Sequence, residues 1–389
     1  MRVIYLTSLF LFFIFLSGDL EAKLEAEVVT KFKMAQAIKK PLDRNKCEDR
    51  EKIINQDIIH YKDKLDFPKN YNFFNTLLLD GVVDQLNMDR LPCSVAKSTG
   101  NEKLVRLGRY TSGVRLKFFT NTDEMYLKFI ISQRFLDHAT SIMTNGLDIY
   151  INGKYNRSLY PSNNIIDAKI AISSDSKYHE VEIYFPLYSE VLDYYVGINE
   201  FAEIYQNRDI RQKIVYYGSS ITQGCCASNP GMSFPAIVSR KIGVDHINLG
   251  FSGNGLGEIE IADFINSLSP TIIVLDYWAN PDPPIYQETL PLFVQRIRSK
   301  HKNVPIIVTS TFANPRRELM QKLKDEISKL VVQTEREKGD GNIYFLDGLL
   351  NEDEFDALVD GRHLNSYGFF LVGERLSEFI KLNKLLYQK

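Results

Sequence analysis

The chain has 389 residues, more than one ordinary domain needs, and its length points to two. Apolar residues make up 44% and charged residues 25%, a globular balance that excludes a disordered chain. With 47 basic against 49 acidic side chains the net charge is −2, and no long basic run occurs, which excludes a nucleic-acid partner held through phosphate contacts.

Residues 1–22 read as a secretory signal peptide. Arg2 supplies a positive charge, an apolar run follows, and small residues allow cleavage after Gly18 or Ala22. That run is short for a bilayer, so the mature chain is expected to be secreted or extracytoplasmic, periplasmic in a bacterium, with no stable membrane insertion after signal removal; an uncleaved anchor is the alternative. Residues 23–70 are charged and weakly helical, a linker or helical lead-in. Residues 71–207 turn to short alternating runs such as Met125-Tyr-Leu-Lys-Phe-Ile-Ile131 and Leu147-Asp-Ile-Tyr-Ile151, separated by Gly, Asn, Asp and Ser. Period-two alternation of this kind predicts an antiparallel, jelly-roll-like β-sandwich, with a hairpin turn at Asn152-Gly153. Asn156-Arg157-Ser158 is an acceptor sequon for N-glycosylation in a eukaryotic secretory path.

Residues 212–389 change texture again. Strand-like runs at Ile214–Tyr217, His246–Leu249, Ile272–Leu275, Ile306–Thr309 and Ile343–Leu346 alternate with helical stretches at Phe234–Ile242, Gly257–Leu268, Tyr286–His301, Arg316–Lys338 and Ser366–Leu386. Strand–helix alternation predicts an α/β domain, a doubly wound parallel sheet of flavodoxin-like topology. Four cysteines are too few for a disulfide framework. Cys47 and Cys93 can pair in an oxidising compartment; Cys225 and Cys226 are neighbours, where a bridge would be strained, and no spacing resembles a zinc site.

Four loops of this second domain follow predicted strands or open the last helix. They are Gly218-Ser219-Ser220, Asn248-Leu-Gly-Phe-Ser-Gly253, Asp276-Tyr277-Trp278-Ala279-Asn280, and Asp360-Gly-Arg-His363. In a parallel sheet the carboxyl-end loops share one rim, where ligands bind. A serine there is a candidate nucleophile if a base can reach it, and His363 is the candidate base. Asp360 can bond the other imidazole nitrogen. The backbone N–H groups of Ser220 and Gly253 and the Asn280 amide are candidate oxyanion donors. Gly253 is expected to permit close approach of backbone to ligand. Each fragment alone has a plainer reading as a turn or a cap; their co-occurrence at four strand ends favours catalysis. Asp276 reads as a loop-orienting group, and Tyr277 and Trp278 as packing or sugar-facing aromatics. His60, His138, His179, His246 and His301 read as structural, and Cys225 as a minor alternative nucleophile.

The four blocks, in this order, resemble those of the SGNH hydrolases, or GDSL-type esterases. Tyr217-Gly-Ser-Ser-Ile-Thr-Gln-Gly224 is similar to the first block, with Ser220 in the nucleophile's place; Gly253, Asn280, and Asp360 with His363 match the later ones. Ser219 stands where the family usually has an acidic residue, and Trp278 where glycine is common. The segment around Gly146-Leu-Asp-Ile-Tyr150 resembles the N-terminal domain of an exported bacterial branch. The resemblance implies a serine esterase using no metal or organic cofactor, acting on acyl esters, acetyl above all, of a carbohydrate or another small ester. A lipid or thioester acyl hydrolase, or an inactive glycan-binding protein, are the rivals.

Overall fold

A computed structural model describes residues 64–75, 79–80, 88–172, 177–206, 212–312 and 318–386. The leader, Cys47, His60 and most of the lead-in lie outside the described residues. Cys93 is disulfide-bonded, whereas Cys225 and Cys226 are free thiols.

The antiparallel part comes first. Strands β1 (Tyr71–Phe74), β2 (Leu79–Asp80), β3 (Arg115–Thr120), β4 (Glu124–Ser132), β5 (Leu147–Ile151), β6 (Lys154–Leu159), β7 (Ile165–Ala171), β8 (His179–Tyr184), β9 (Glu190–Asn199) and β10 (Ile204–Tyr205) form two sheets. One runs β1-β9-β4-β7, the other β10-β3-β8-β5-β6 with β2 paired to β3. Alternation along the strands explains the layering. Met125, Leu127, Phe129 and Ile131 of β4 share a core with Leu116 and Phe118 of β3 and with Val181 and Ile183 of β8, so the sheets bury their facing sides against each other. The β5–β6 hairpin turns at Asn152 and Gly153, with φ of 51° and 74°, as a tight two-residue turn requires.

The parallel sheet follows. Strands β11 (Lys213–Gly218), β12 (Asp245–Gly250), β13 (Ile272–Asp276), β14 (Ile306–Thr309) and β15 (Ile343–Leu346) pair in the order β12-β11-β13-β14-β15. This is the flavodoxin-like order. Helices cover the sheet: Phe234–Ile242 packs with Ser366–Leu382, and Pro283–Lys300 lies between Ile259–Ser267 and Glu318–Glu337. Every residue of β13 is buried, which accounts for its continuous apolar run Ile272–Leu275, whereas β12, equally buried, carries Asp245, His246 and Asn248 among its apolar residues. Among the described residues no helix is long and apolar enough to cross a membrane.

Residues 71–207 are not sandwich alone. Two helices, Cys93–Ser98 and Glu102–Arg109, precede β3 and are absent from the sequence reading. Leu104, Val105 and Leu107 of the second, with Met143, Leu187 and Tyr188 beyond it, are buried in the same apolar cluster as the parallel sheet. The two parts are therefore joined by a continuous core. A buried ion-pair network reinforces the joint. Arg115 on β3 donates to Glu182 at 2.8 Å and to Asp245 on β12 at 2.5 Å.

Candidate active site

β11 is flanked by β12 on one side and β13 on the other, so the sheet's switch point lies at its carboxyl end. The chain leaves it at Gly218, where a Cβ would stand 1.9 Å from Thr222 Oγ1 and 2.9 Å from the Asp276 carbonyl oxygen. Glycine is what lets a helix begin this close to the strand. Ser219 caps that helix: its hydroxyl accepts the Ile221 N–H at 3.1 Å and is fully enclosed, with 0% exposure. Ser220 is the first helical residue and keeps 7% exposure. The adjacent hydroxyls thus do different work, and it is Ser220 Oγ that lies 2.9 Å from His363 Nε2.

His363 is carried by a turn before the final helix. Gly361 adopts φ of 75°, and the Val359 N–H donates to the His363 carbonyl at 2.8 Å, closing the turn. Asp360 Oδ1 accepts the N–H groups of Arg362 and His363 at 3.0 and 2.8 Å, leaving Oδ2 facing His363 Nδ1 at 2.8 Å. Partial burial by itself would raise the Asp360 carboxyl; hydrogen bonds from His363 and Arg362 outweigh it and hold the group down at about 2. Hydroxyl, imidazole and carboxylate form one hydrogen-bonded series across 143 residues of sequence. Such a series can take a proton from the hydroxyl and stabilise the imidazolium that results.

The oxyanion candidates gather on the same rim. Ser220 heads its helix, where first-turn N–H groups have no intrahelical carbonyl. The loop after β12 is tied to β11 by the Phe251 N–H, which donates to the Gly218 carbonyl at 2.9 Å. Gly253 on this loop has φ of 64°, and no protein atom lies within 4 Å of where its Cβ would stand. Gly255 instead packs against the end of the strand, where a Cβ would lie 2.6 Å from the Gly218 carbonyl oxygen. Asn280 Nδ2 donates to the carbonyls of Phe251, at 3.2 Å, and of Asn254, clamping its loop to the one carrying Gly253.

Asp276 sits beneath these loops. Its carboxylate accepts from Thr222 Oγ1 on the helix that Ser220 opens, Trp278 Nε1 and Thr309 Oγ1, at 2.7, 2.9 and 2.8 Å. Burial pushes its carboxyl up to about 6, and these three bonds offset part of that rise. Trp278 is buried, edge-on to Phe312 with centroids 5.2 Å apart, and it also lines the cavity that opens beside Asn280. Beside Asn280 and the Gly361-Arg362 turn opens a cavity of about 320 Å³, walled by Phe312, Met320 and Leu358 and by Asp282, Gln321 and Lys324.

Residues from the antiparallel part also reach the site, and no local motif marks them. His138, read from sequence as one of the structural histidines, stacks on His363 with ring centroids 6.0 Å apart and planes 26° apart. Tyr188 directs its hydroxyl to the Ser220 carbonyl at 3.4 Å. Arg90, fully buried, donates to the carbonyls of Asn248 and Gly250 at the root of the Gly253 loop. These side chains arrive from loops whose sequence has neither a motif nor a periodicity to single them out.

The sequence pattern of the GDSL-like lipase/acylhydrolase family matches residues 211–381, and that of the N-terminus of the SGNH-hydrolase-type esterases matches residues 73–204. No curated protein matches the sequence. Among solved structures, a protein described as a GDSL-like lipase from Bacteroides ovatus is 28% identical. That match covers 82% of this chain and all of that one, with a TM-score of 0.72. A salicylyl-acyltransferase from a tetracycline biosynthetic pathway is 20% identical over 82% of this chain and 99% of its own, with a TM-score of 0.70. A family two carbohydrate esterase from Clostridium thermocellum is 15% identical over 71% and 94%, with a TM-score of 0.55. The chain belongs to the SGNH, or GDSL-type, hydrolases, with an N-terminal domain of antiparallel sheets distinct from the catalytic core.

Proposed function

We propose that the protein is an exported serine esterase that removes short acyl groups, acetyl first among them, from a carbohydrate. The observation that carries the mechanism is the hydrogen-bonded series from Ser220 through His363 to Asp360. In this reading Ser220 Oγ bonds to the ester carbonyl carbon while His363 Nε2 takes its proton. The oxyanion is received by the N–H groups of Ser220 and Gly253 and by the Asn280 amide, each donor contributing about 3 kcal/mol to the barrier reduction. For that, Asn280 must exchange one of its present carbonyl partners for the oxyanion. Collapse breaks the bond to the alcohol oxygen, which leaves with the proton from His363. A water deprotonated by His363 then hydrolyses the acyl-enzyme.

Two features support a small acyl group on a polar alcohol. The cavity beside Asn280 and Arg362 has Asp282, Gln321 and Lys324 interrupting its apolar wall, which suits a polar substrate better than a lipid tail. Solved structures sharing the fold include carbohydrate esterases and an acetyl xylan esterase from Butyrivibrio proteoclasticus. Export rests on the leader read over residues 1–22. Active-site labelling with a fluorophosphonate and peptide mapping tests the mechanism: the label is expected on Ser220 and absent from Ser220→Ala. Label on Ser219 or Cys225 would overturn the assignment. Acetate release from acetylated polysaccharide, measured against nitrophenyl esters of increasing chain length, tests the substrate; faster turnover of long chains would refute it.

A further inference from the structure

Next to the esterase residues lies a cluster whose chemistry ester hydrolysis does not use. Cys225 and Cys226 follow the nucleophile helix as free thiols, and His138 approaches them from the loop after β4. Cys226 adopts φ of 76°, turning the chain so that neighbouring side chains converge instead of pointing apart. Cys225 Sγ lies 3.6 Å from His138 Nε2 and 2.9 Å from Cys226 Sγ, and all three donor atoms fall within 4.8 Å of one another.

A zinc-like cation binds thiolate at about 2.3 Å and imidazole at about 2.0 Å in tetrahedral geometry, which sets the S···N edge near ~3.6 Å and the S···S edge near ~3.8 Å. The S···N edge to Cys225 is already present, and Cys226 Sγ lies within 4.8 Å of the His138 donor atom. The S···S edge needs the sulfurs to part by about 0.9 Å, within reach of χ1 adjustments in two unbranched side chains. Two thiolates and a neutral imidazole balance a dication, so the filled site buries no net charge. The sulfurs are buried while His138 is exposed, which gives an ion a way in past the imidazole.

We propose that His138, Cys225 and Cys226 form a binding site for a thiophilic dication of the zinc class, and that filling it slows the esterase. The coupling is structural. His138 stacks on His363, and the Cys225 N–H donates to the Ser220 carbonyl at 2.8 Å. Ligation fixes the ring that the base packs against and ties it to the turn bonded to the Ser220 carbonyl.

The test titrates Cd2+ into the full chain carrying Ser220→Ala, which removes hydrolysis and keeps all three donors. Binding therefore stands or falls apart from the esterase reading. One Cd2+ per chain is expected, with thiolate-to-cadmium charge-transfer absorption that Zn2+ displaces. Cys225→Ser and Cys226→Ser each abolish the absorption. His138→Gln, at an exposed position, keeps the fold by circular dichroism and weakens binding by about tenfold or more. In the wild-type chain, ester hydrolysis falls with the same midpoint and returns with a chelator. Absence of the absorption band, a band indifferent to these substitutions, or thiols that react only after reduction would overturn the site. Full turnover with the site filled would overturn the coupling.

Discussion

Replacing Ser219 and Ser220 one at a time separates two hydroxyls that sequence alone leaves side by side. The Ser219→Ala variant loses the cap on a helix of only four residues and leaves the Ile221 N–H without its 3.1 Å partner. Losing a serine cap costs about 1 kcal/mol, and an unsatisfied buried N–H brings the total to about 1–3 kcal/mol of stability. Ser220 is the first residue of that helix, so fraying lowers the fraction of molecules with Oγ aimed at His363. A loss of ~1 kcal/mol lowers the formed-to-frayed ratio about fivefold, so this fraction, and with it kcat/KM, falls by at most about fivefold. The Ser220→Ala variant keeps the cap and the fold but has no nucleophile, and kcat falls by on the order of 10⁴-fold or more. Urea denaturation followed by tyrosine fluorescence, steady-state hydrolysis of nitrophenyl acetate and fluorophosphonate labelling read the three consequences separately. The reasoning is refuted if Ser219→Ala abolishes labelling at unchanged stability, or if Ser220→Ala still turns over.

Asp360→Asn should lower kcat by about 10²-fold or more, because the imidazolium loses its counter-charge. Its stability effect has a defined sign. The drop from the ordinary 3.8 to about 2 is worth roughly 2 kcal/mol, which screening of a side chain 43% exposed reduces to about 1 kcal/mol. That contribution is complete above about pH 4 and disappears as pH falls towards 2, so denaturation curves of wild type and variant should converge over this window. Arg115→Met leaves the Glu182 and Asp245 carboxylates buried beside an apolar chain and should cost about 3–5 kcal/mol in chemical denaturation; adding Glu182→Gln and Asp245→Asn should restore much of it. Gly255→Ala, with its Cβ driven onto the Gly218 carbonyl, should lower both Tm and kcat. Gly253→Ala should show only the conformational cost of positive φ, about 1–2 kcal/mol; equal Tm losses would contradict the assigned difference.

The parallel sheet is legible because β11 to β15 are short runs of Ile, Val, Leu and Tyr bounded by turn residues, each followed by a stretch of helical period. The β-sandwich is legible from alternation, as in β4. The helix Glu102–Arg109 is not, because eight residues placed between strand-like segments give too little periodicity to outweigh their surroundings. The order of the catalytic blocks places Ser220, His363 and Asp360 on one rim, since loops at the same end of a parallel sheet must be neighbours. Which glycine meets the backbone is another matter. Gly253 and Gly255 both adopt positive φ, and only the packing of one loop against the end of β11 separates them. Likewise His138 lies 225 positions before His363, on a loop without a motif, and only tertiary packing brings the rings together.

That packing changes what the N-terminal domain is for. β12 is an edge strand, and an edge strand presents a row of unpaired backbone groups. Arg90 occupies that edge, donating to the carbonyls of Asn248 and Gly250 and, on its other side, to those of Leu107 and Tyr110. Burial draws its guanidinium down to about 9, so it stays charged at neutral pH and bonds these carbonyls more strongly than a neutral donor would. Ser112 continues the seam: its hydroxyl donates to the Gln223 carbonyl at 2.6 Å and accepts from Asn248 Nδ2 at 3.1 Å. Asn101 bonds Asn254 at 2.8 Å within the loop that carries Gly253. The backbone positions proposed to receive the oxyanion are therefore held from outside by residues that precede the parallel sheet. A catalytic core without them would expose the edge of β12 and the apolar surface now covered by Leu104, Val105 and Leu107. The antiparallel part is thus a wall of the candidate site, and the loop that carries Gly253 is held by a seam between the two parts.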